Sequence, residues 1–226
     1  MKNILYNSAD PIRTTLSANF LSWDLEYTHI KWGGPVSIQE VRNFIYPGSR
    51  ILDAGCGSGR YLEKLAEYYT AVGVDISSTA LQNSRVQLLR HDREAEHLKA
   101  SVHLLPFKTE TFAGIFCYGV FQHLFCKERT DTAKEFGRIL EKGGLVFFEA
   151  FGQEDMRYGG TPAGLGEDNT FVRQNGIIYH YFTEKEVKML FKDFETLKLE
   201  SLKKEKIFKG IPYQRHMIHG IFRKAV

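Results

Sequence analysis

The chain has 226 residues, of which 43% are hydrophobic and 25% are charged, and its formal net charge is +3. These proportions are typical of a globular protein, and the length suits one α/β domain with a substantial core. So small a net charge does not by itself indicate nucleic-acid binding. No apolar run reaches the roughly 18 residues of a membrane span, and Met1–Ile4 do not begin a signal peptide, so we expect a cytoplasmic protein. The three cysteines lack Cys-x-x-Cys spacing, so we expect no disulfide framework and no metal site.

Strand-like and helix-like segments alternate after about residue 36. The predicted strands are, in chain order, Arg50–Ala54, Ala71–Asp75, Leu98–Val102, Ala113–Gly119, Leu145–Ala150, Thr196–Lys206 and Gln214–Arg223. The predicted helices are Ser37–Tyr46, Gly59–Tyr69, one that begins near Ser78, Glu128–Leu140 and Thr183–Phe191. Strands separated by helices of this length predict a doubly wound, mostly parallel sheet that binds its ligand at the carboxyl ends of the strands. The last two strands predict an antiparallel pair joined at Gly210–Pro212.

A glycine-rich turn follows the first predicted strand. Gly55, Gly57 and Gly59 alternate between a short apolar run and the amphipathic segment Tyr61–Tyr68. A strand, a tight turn and a helix start bring backbone N–H groups close to a ligand. The spacing is neither the dinucleotide fingerprint G-x-G-x-x-G nor a Walker loop.

The second predicted strand ends in an acid, Asp75. A carboxylate at this place, about 20 residues after a glycine-rich turn, can accept hydrogen bonds from a ribose diol. The alternative is that Asp75 caps the next helix, but Ser77 or Ser78 is the better cap.

These features together resemble the class I S-adenosylmethionine-dependent methyltransferases, of the kind called methyltransferase type 11. The acid two residues before the first glycine matches motif I of that family. Further segments that resemble the family are Leu105–Phe112, Gly119–Leu124 and Arg138–Leu145. The resemblance implies a seven-stranded, mostly parallel sheet with an antiparallel C-terminal strand and helices on both faces. It also implies S-adenosylmethionine as cofactor and S-adenosylhomocysteine as product.

The resemblance assigns roles to particular positions. Asp53 would approach the methionine ammonium, Asp75 the ribose hydroxyls and Ile76 the adenine face. The main chain of Ala54, Gly55 and Gly57 would line the methionine and ribose, and the main chain around Tyr118 would face the amino acid end of the cofactor. The family usually has an Asp for the adenine amino group where this chain has Ser101, so adenine recognition would rest on Ser101 and the backbone of Val102.

The acceptor would be held by segments outside the core. We divide the single domain 1–226 into a lid or cap segment 1–36, a cofactor-binding core 37–151, a substrate-side insertion 152–182 and a C-terminal part 183–226. Tyr27 and Trp32 resemble lid aromatics of thiopurine- and tellurite-type methyltransferases; the alternative is a helix that packs aromatic side chains on the sheet edge. Aromatic and basic side chains in the insertion favour a flat or anionic acceptor.

Two histidines are weak candidates for catalysis. His123 follows the fourth predicted strand, so it is either a general base or a residue that lines the pocket. His180 precedes the helix capped by Thr183, so a structural hydrogen bond is at least an equal alternative.

Three functions remain open at this point. The first is methyl transfer to a small-molecule acceptor by SN2 displacement. The second is RNA methylation, since parts of the core also resemble tRNA wobble-uridine methyltransferases and the C-terminal strands are rich in lysine. The third is a non-catalytic binding or partner protein that retains the cofactor fold.

Overall fold

The computed structural model describes residues 21–29, 36–164 and 166–225. Its main sheet has seven strands in the order β3-β2-β1-β4-β5-β10-β9. The strands of this sheet are β1 (Arg50–Ala54), β2 (Thr70–Asp75), β3 (Glu96–Lys99), β4 (Phe112–Tyr118), β5 (Leu140–Phe151), β9 (Phe194–Phe208) and β10 (Ile211–Lys224). The helices are α1 (21–29), α2 (Gln39–Phe44), α3 (Leu62–Leu65), α4 (Ser78–Arg90), α5 (Cys126–Ile139) and α6 (Glu184–Leu190).

The strand directions agree with the sequence prediction. Strands β1 to β5 pair in parallel, whereas β10 is antiparallel to both β5 and β9. The hairpin between β9 and β10 turns at Lys209 and Gly210, both with positive φ (51° and 78°). Two such residues form the tight turn whose twist matches that of antiparallel strands. The doubly wound, mostly parallel fold is therefore confirmed.

Helices cover both faces of the sheet. On one face, Phe136 of α5 and Val187 of α6 pack with the buried Phe148 of β5. On the other face, buried apolar residues of α2, α3 and α4 pack against the inner strands; Leu62 and Leu81 are examples. With both faces buried, the central strands are apolar along most of their length, which is the pattern expected of a parallel sheet.

The third strand lies two to three residues earlier than predicted, at Glu96–Lys99 instead of Leu98–Val102. Its parallel register with β2 runs from Val72–Glu96 to Asp75–Lys99. Strand β3 lies at an edge of the sheet and none of its residues is buried, so its sequence lacks an apolar run. The prediction followed the apolar residues a little farther along the chain instead. Residues 100–102 are consequently free to form a loop at the carboxyl end of the sheet.

The predicted insertion 152–182 contains a small antiparallel sheet of its own. Its strands are β6 (Thr161–Pro162), β7 (Thr170–Val172) and β8 (Ile178–His180). The division of the chain into parts stays a prediction. No helix within the described residues is long and apolar enough to cross a membrane.

Candidate cofactor and acceptor cleft

The carboxyl ends of β1, β4 and β5 open into a cleft of about 590 Å³, here called the main cleft. Gly55 and Gly57 line it on one side, and Phe151 and Tyr179 line it on another. A smaller adjoining cavity, here called the side pocket, extends towards the ends of β2 and β3. This is the edge of a parallel sheet where ligands are expected to bind.

The glycine-rich turn requires glycine for two separate reasons. Gly55 has a φ of +77°, which side chains rarely adopt, and a Cβ there would lie 2.3 Å from Val120 Cγ2. The N–H of Gly55 donates to Val74 O at 2.7 Å, which ties the turn to β2. The turn is therefore pressed between β2 and the segment after β4.

Asp75 holds this turn through its side chain. Its Oδ2 accepts a hydrogen bond from Gly57 N and its Oδ1 accepts one from Ser77 N, both at 2.9 Å. Burial raises the pKa of Asp75 to about 6, although these backbone donors oppose the rise. Ser77 caps α4, with its Oγ accepting from Ala80 N at 3.0 Å, so the helix cap is not Asp75. Each carboxylate oxygen keeps a lone pair for a further donor in the side pocket.

Asp53 carries a buried carboxylate oxygen with no hydrogen-bond partner in the described part of the chain. The residue is only 3% exposed, and the atom is Oδ2. Burial, together with the negative charge of Asp75, raises the pKa of Asp53 to about 8. Asp53 lines neither cavity itself and lies directly before the glycine turn that does. An unpartnered buried acid is costly, so this position favours a cationic partner.

We expect Asp53→Asn to stabilise the ligand-free protein at high pH. Asp53 has a folded-state pKa of about 8, whereas an unfolded Asp titrates near ~4, so its contribution to the free energy of unfolding falls as pH rises between these values. Thermal unfolding at pH 8 should occur about 5 °C higher in Asp53→Asn than in wild type. At pH 4 or below the two proteins should differ little. If Asp53→Asn were less stable than wild type at both pH values, burial of the ionised Asp53 carboxylate would not be what destabilises the protein at high pH.

The predicted adenine-side residues lie around the side pocket. Ile76, Ser101 and Val102 line it together with Asp75. The Ser101 hydroxyl lies 2.8 Å from His103 Nδ1, so this histidine orients the hydroxyl. The structure therefore brings the predicted ribose and adenine positions together.

Of the remaining residues that were predicted to contact the cofactor, only one of those described lines the main cleft. Tyr118 lines the main cleft, and its hydroxyl lies 3.4 Å from Glu40 Oε2. Ala54 is fully buried behind the glycine turn. Trp32 lies outside the described residues.

Helix α1 lies over both cavities. Trp23 and Tyr27 line each of them, and the Tyr27 hydroxyl would be 2.6 Å from a Cβ at Gly57. Asp24 anchors the helix, since its Oδ1 accepts from Ser77 Oγ at 2.7 Å and from Thr79 N at 3.1 Å. Tyr27 therefore lies against the glycine turn while Asp24 ties α1 to the start of α4, which fits a cover better than packing on the sheet edge.

His123 lies where the main cleft meets the side pocket. Its Nδ1 is 2.7 Å from the carbonyl oxygen of Ile178, so Nδ1 carries the proton and Nε2 keeps a lone pair. The rings of Trp23 and Tyr179 contact it edge-on, at centroid distances of 4.7 and 4.8 Å. Burial lowers the pKa of His123 to about 4, so the ring is neutral at physiological pH.

His180 is not placed for catalysis. It is 2% exposed, and neither cavity includes it. Its Nδ1 lies 2.7 Å from Thr170 Oγ1 and its Nε2 lies 2.8 Å from Glu186 Oε1. With both ring nitrogens engaged by protein groups, His180 fastens β8 to β7 and α6, and the geometry favours the structural alternative.

Several residues that line the main cleft were not predicted from the sequence, among them Gln122, Glu149 and Arg215. Gln122 is 1% exposed and its Oε1 has no hydrogen-bond partner among the described residues. Glu149, at the end of β5, has its pKa raised by burial. Arg215 reaches the cleft from β10. The place of Glu149 at a strand end was a usable signal, whereas Arg215 is 66 residues distant along the chain from Glu149 and meets it only through the pairing of β5 with β10.

The described residues contain no group of three or more His, Cys, Asp or Glu side chains arranged to hold a metal ion.

The strand order, the glycine turn after β1 and the acid at the end of β2 define the class I methyltransferase fold. Residues 51–144 match the family model described as "Methyltransferase domain". This part of the chain is therefore similar to a methyltransferase domain, and the fold around it is that of the class I methyltransferases.

Relatives of known name fall into two groups. The chain is 32% identical over 124 residues to "Probable tRNA methyltransferase 9B" of Mus musculus, covering 52% of this chain and 26% of the relative. It is 31% identical over 130 residues to "Ubiquinone biosynthesis O-methyltransferase" of Nitrosococcus oceani, covering 55% of this chain and 53% of the relative. The matches thus span a quarter to about half of these relatives' lengths.

Solved structures extend the likeness to the whole fold. A methyltransferase from Methanosarcina mazei superposes with a TM-score of 0.71 at 23% identity, covering 85% of this chain and all of that one. The Burkholderia thailandensis 1,6-didemethyltoxoflavin-N1-methyltransferase, solved with its substrate and S-adenosylhomocysteine, gives 0.69 at 15% identity and covers 99% and 94%. At these identities the likeness establishes the fold.

Proposed function

We propose that the protein transfers the methyl group of S-adenosylmethionine to a small-molecule acceptor. The observation that carries this proposal is the unpartnered Oδ2 of Asp53, buried beside the glycine turn and in the field of Asp75. An ammonium group would satisfy this oxygen, and a ribose diol would use the open lone pairs of Asp75. One ligand that presents both groups is S-adenosylmethionine.

The residues present fit that ligand along its length. Asp53 would neutralise the ammonium, and the backbone of Gly55 and Gly57 would line the methionine. Asp75 would accept from the ribose hydroxyls, while Ile76 and Ser101 would contact the adenine. When bound, the cofactor supplies a methyl group on a sulfonium, which is a good leaving group.

The protein's contribution to the reaction is alignment and exclusion of water. In-line displacement gains much of its rate when both reactants are held at attack distance. Trp23 and Tyr27 cover the place where the two cavities meet, so closure of α1 would exclude water from it. His123 offers the lone pair of Nε2 there and would accept a proton from an acceptor hydroxyl or N–H.

We expect a role of His123 as a base to appear in the pH profile of kcat. Because the pKa of His123 is lowered to about 4 by burial, Nε2 is unprotonated above about pH 5. On this basis kcat at saturating substrates should be flat above pH 5 and should fall below it. His123→Gln should lower kcat by about 100-fold and leave S-adenosylhomocysteine affinity unchanged. An unchanged kcat with lower thermal stability would instead assign His123 a structural role.

The tRNA relatives support RNA as the second candidate acceptor. The geometry of the lysine-rich hairpin does not add to that support. Lys198 pairs with Glu40 at 2.7 Å and with Glu200 at 2.8 Å, and Lys203 pairs with Glu154 at 2.6 Å. Lysines neutralised by neighbouring glutamates are typical of a solvated strand face.

An assay of S-adenosylhomocysteine formation tests the proposed function. Purified protein with S-adenosylmethionine should form product with members of a panel of small phenols, thiols and aromatic amines. Product formed only with unmodified tRNA, with an RNA affinity that falls steeply with salt, would favour the second candidate. Cofactor binding without turnover on either panel would favour a non-catalytic partner protein. We also propose a cytoplasmic location, which the three free cysteines fit.

A further inference from the structure

Two arginine side chains lie over one aromatic ring, that of Phe151, at the end of the main cleft next to the last residue of β5. The Cζ of Arg157 lies 4.2 Å from the centroid of the Phe151 ring, and the Cζ of Arg215 lies 5.7 Å from it. Both side chains line the cleft and keep about a quarter of their surface exposed, 29% and 24% respectively. Each guanidinium thus presents part of its surface to whatever occupies the cleft.

One buried carboxylate positions both arginines. The side chain of Asp155 is fully buried, and its Oδ1 accepts from Arg157 Nε at 3.2 Å. Its Oδ2 accepts from Arg215 Nε at 2.7 Å and from the N–H of His216 at 3.1 Å. The hydrogen bond from Arg215 and the backbone donors lower the pKa of Asp155 against the effect of burial, so this group is ionised. Because Asp155 binds each arginine through Nε, the terminal nitrogens point away from it.

These terminal nitrogens are available for a ligand. In the described part of the chain, the terminal nitrogens of Arg157 have no hydrogen-bond partner, and those of Arg215 have only the sulfur of Met217, at 3.7 Å. Guanidinium groups presenting two parallel N–H donors match a carboxylate or phosphate.

The charge at this end of the cleft is positive. Two guanidinium groups share a single buried carboxylate, which leaves one positive charge in excess. Arg60 and Lys206 also line the cleft, and Glu149 is its acidic counterpart. The excess positive charge of the two arginines would attract a negative ligand group.

The walls beside the arginines are flat. The rings of Phe151 and Tyr179 lie nearly parallel, at 15° and a centroid distance of 5.9 Å. The edge of His123 contacts Tyr179 next to them. Flat rings stack well on such surfaces, whereas an aliphatic acid would use them poorly.

We propose that the acceptor is a flat aromatic acid whose carboxylate binds the terminal nitrogens of Arg157 and Arg215, an inference that rests on the proposed methyl transfer. The carboxylate is held at the end of β5 and β10, and the ring lies beside Tyr179 and the edge of Phe151, since Arg157 covers a face of the Phe151 ring. The opposite edge of the ring, which carries the atom to be methylated, faces His123 and the glycine turn. The recessed position of the arginines suits one anionic group and not the repeated phosphates of an RNA backbone.

Calorimetry on protein saturated with S-adenosylhomocysteine tests this proposal. The probes are benzoate, 1-naphthoate, 2-naphthoate and indole-3-carboxylate, each compared with its neutral carboxamide. We expect at least one carboxylate to bind about tenfold or more tightly than its carboxamide. Arg157→Gln and Arg215→Gln should each abolish this difference while S-adenosylhomocysteine still binds.

Lys203→Gln is the matched control, since it removes one positive charge from the exposed face of β9 outside the cleft. It should leave the preference for carboxylates intact. If loss of Arg215 from buried Asp155 prevents folding, the more exposed Arg157 decides the test alone. No preference for any carboxylate, or a preference that survives in the arginine variants, would overturn the proposal. Failure of S-adenosylhomocysteine itself to bind would instead refute the proposed function.

Discussion

Gly55→Ala is expected to abolish cofactor binding almost completely. The added Cβ would lie 2.3 Å from Val120 Cγ2, and Gly55 has a φ of +77°. The turn that presents its backbone to the methionine would have to move by a large fraction of an ångström. Displacement on this scale can cost about 100-fold in a positioned site. S-adenosylhomocysteine affinity measured by calorimetry should therefore fall by about 100-fold or more.

Gly48→Ala separates steric obstruction from backbone strain. Gly48 has nearly the same backbone conformation, with a φ of +82°, but a Cβ there meets nothing within 4 Å. The strain alone costs about 1 kcal/mol, so its melting temperature should fall by about 2–4 °C. Its affinity for S-adenosylhomocysteine should equal that of wild type. Equal affinity in Gly55→Ala and Gly48→Ala would mean that the turn does not contact the cofactor.

Asp75→Ala is the second substitution with a large expected effect. It removes the proposed acceptor of the ribose hydroxyls and also leaves the N–H groups of Gly57 and Ser77 without their partner. A hydrogen bond to a charged group is worth about 1.5–3 kcal/mol, so two of them correspond to a loss of affinity of about 100-fold or more. The shift in melting temperature caused by saturating S-adenosylhomocysteine should disappear.

Two further variants show whether the loss of affinity comes from the contact with the ribose or from a disrupted turn. Asp75→Asn keeps one carbonyl oxygen and should retain a folded turn with intermediate affinity. Asp131→Ala removes a partly exposed acid on α5 whose ion pair, among the described residues, is with Lys127, and which lines neither cavity. It should behave as wild type. If Asp75→Ala kept full affinity, Asp75 would be a structural residue of the turn and no more.

The turn and the strand ends of the proposed cofactor side could be predicted because their sequence signals are local. Gly55, Gly57 and Asp75 stand at fixed distances along the chain, and β1 was predicted with the bounds that the structure shows. Ser101 was also found from its position ahead of Leu105–Phe112. The edge strand β3 was misplaced because an exposed strand carries no apolar pattern.

The acceptor side could not be predicted in the same way. Asp155 and Arg215 meet only because β10 pairs with β5, and no local pattern announces that contact. The sequence made His180 and His123 equally weak candidates for catalysis. In the structure both ring nitrogens of His180 are engaged by protein groups, whereas Nε2 of His123 keeps a lone pair in the cleft. Among the aromatics of the lid segment, the structure places Trp23 and Tyr27 over the cleft, whereas Trp32 lies outside the described residues.

The central claim is that the cleft at the ends of β1 and β2 binds a cationic nucleoside of the S-adenosylmethionine type. A calorimetric titration of the wild-type protein with S-adenosylhomocysteine at pH 7, repeated in two buffers of different ionisation enthalpy, tests it most directly. We expect S-adenosylhomocysteine to bind at a single site with about micromolar affinity. We also expect proton release on binding, because the raised pKa of Asp53 falls when an ammonium group arrives, and this release should be absent in Asp53→Asn. Absence of binding at ligand concentrations up to about 1 mM would contradict the account.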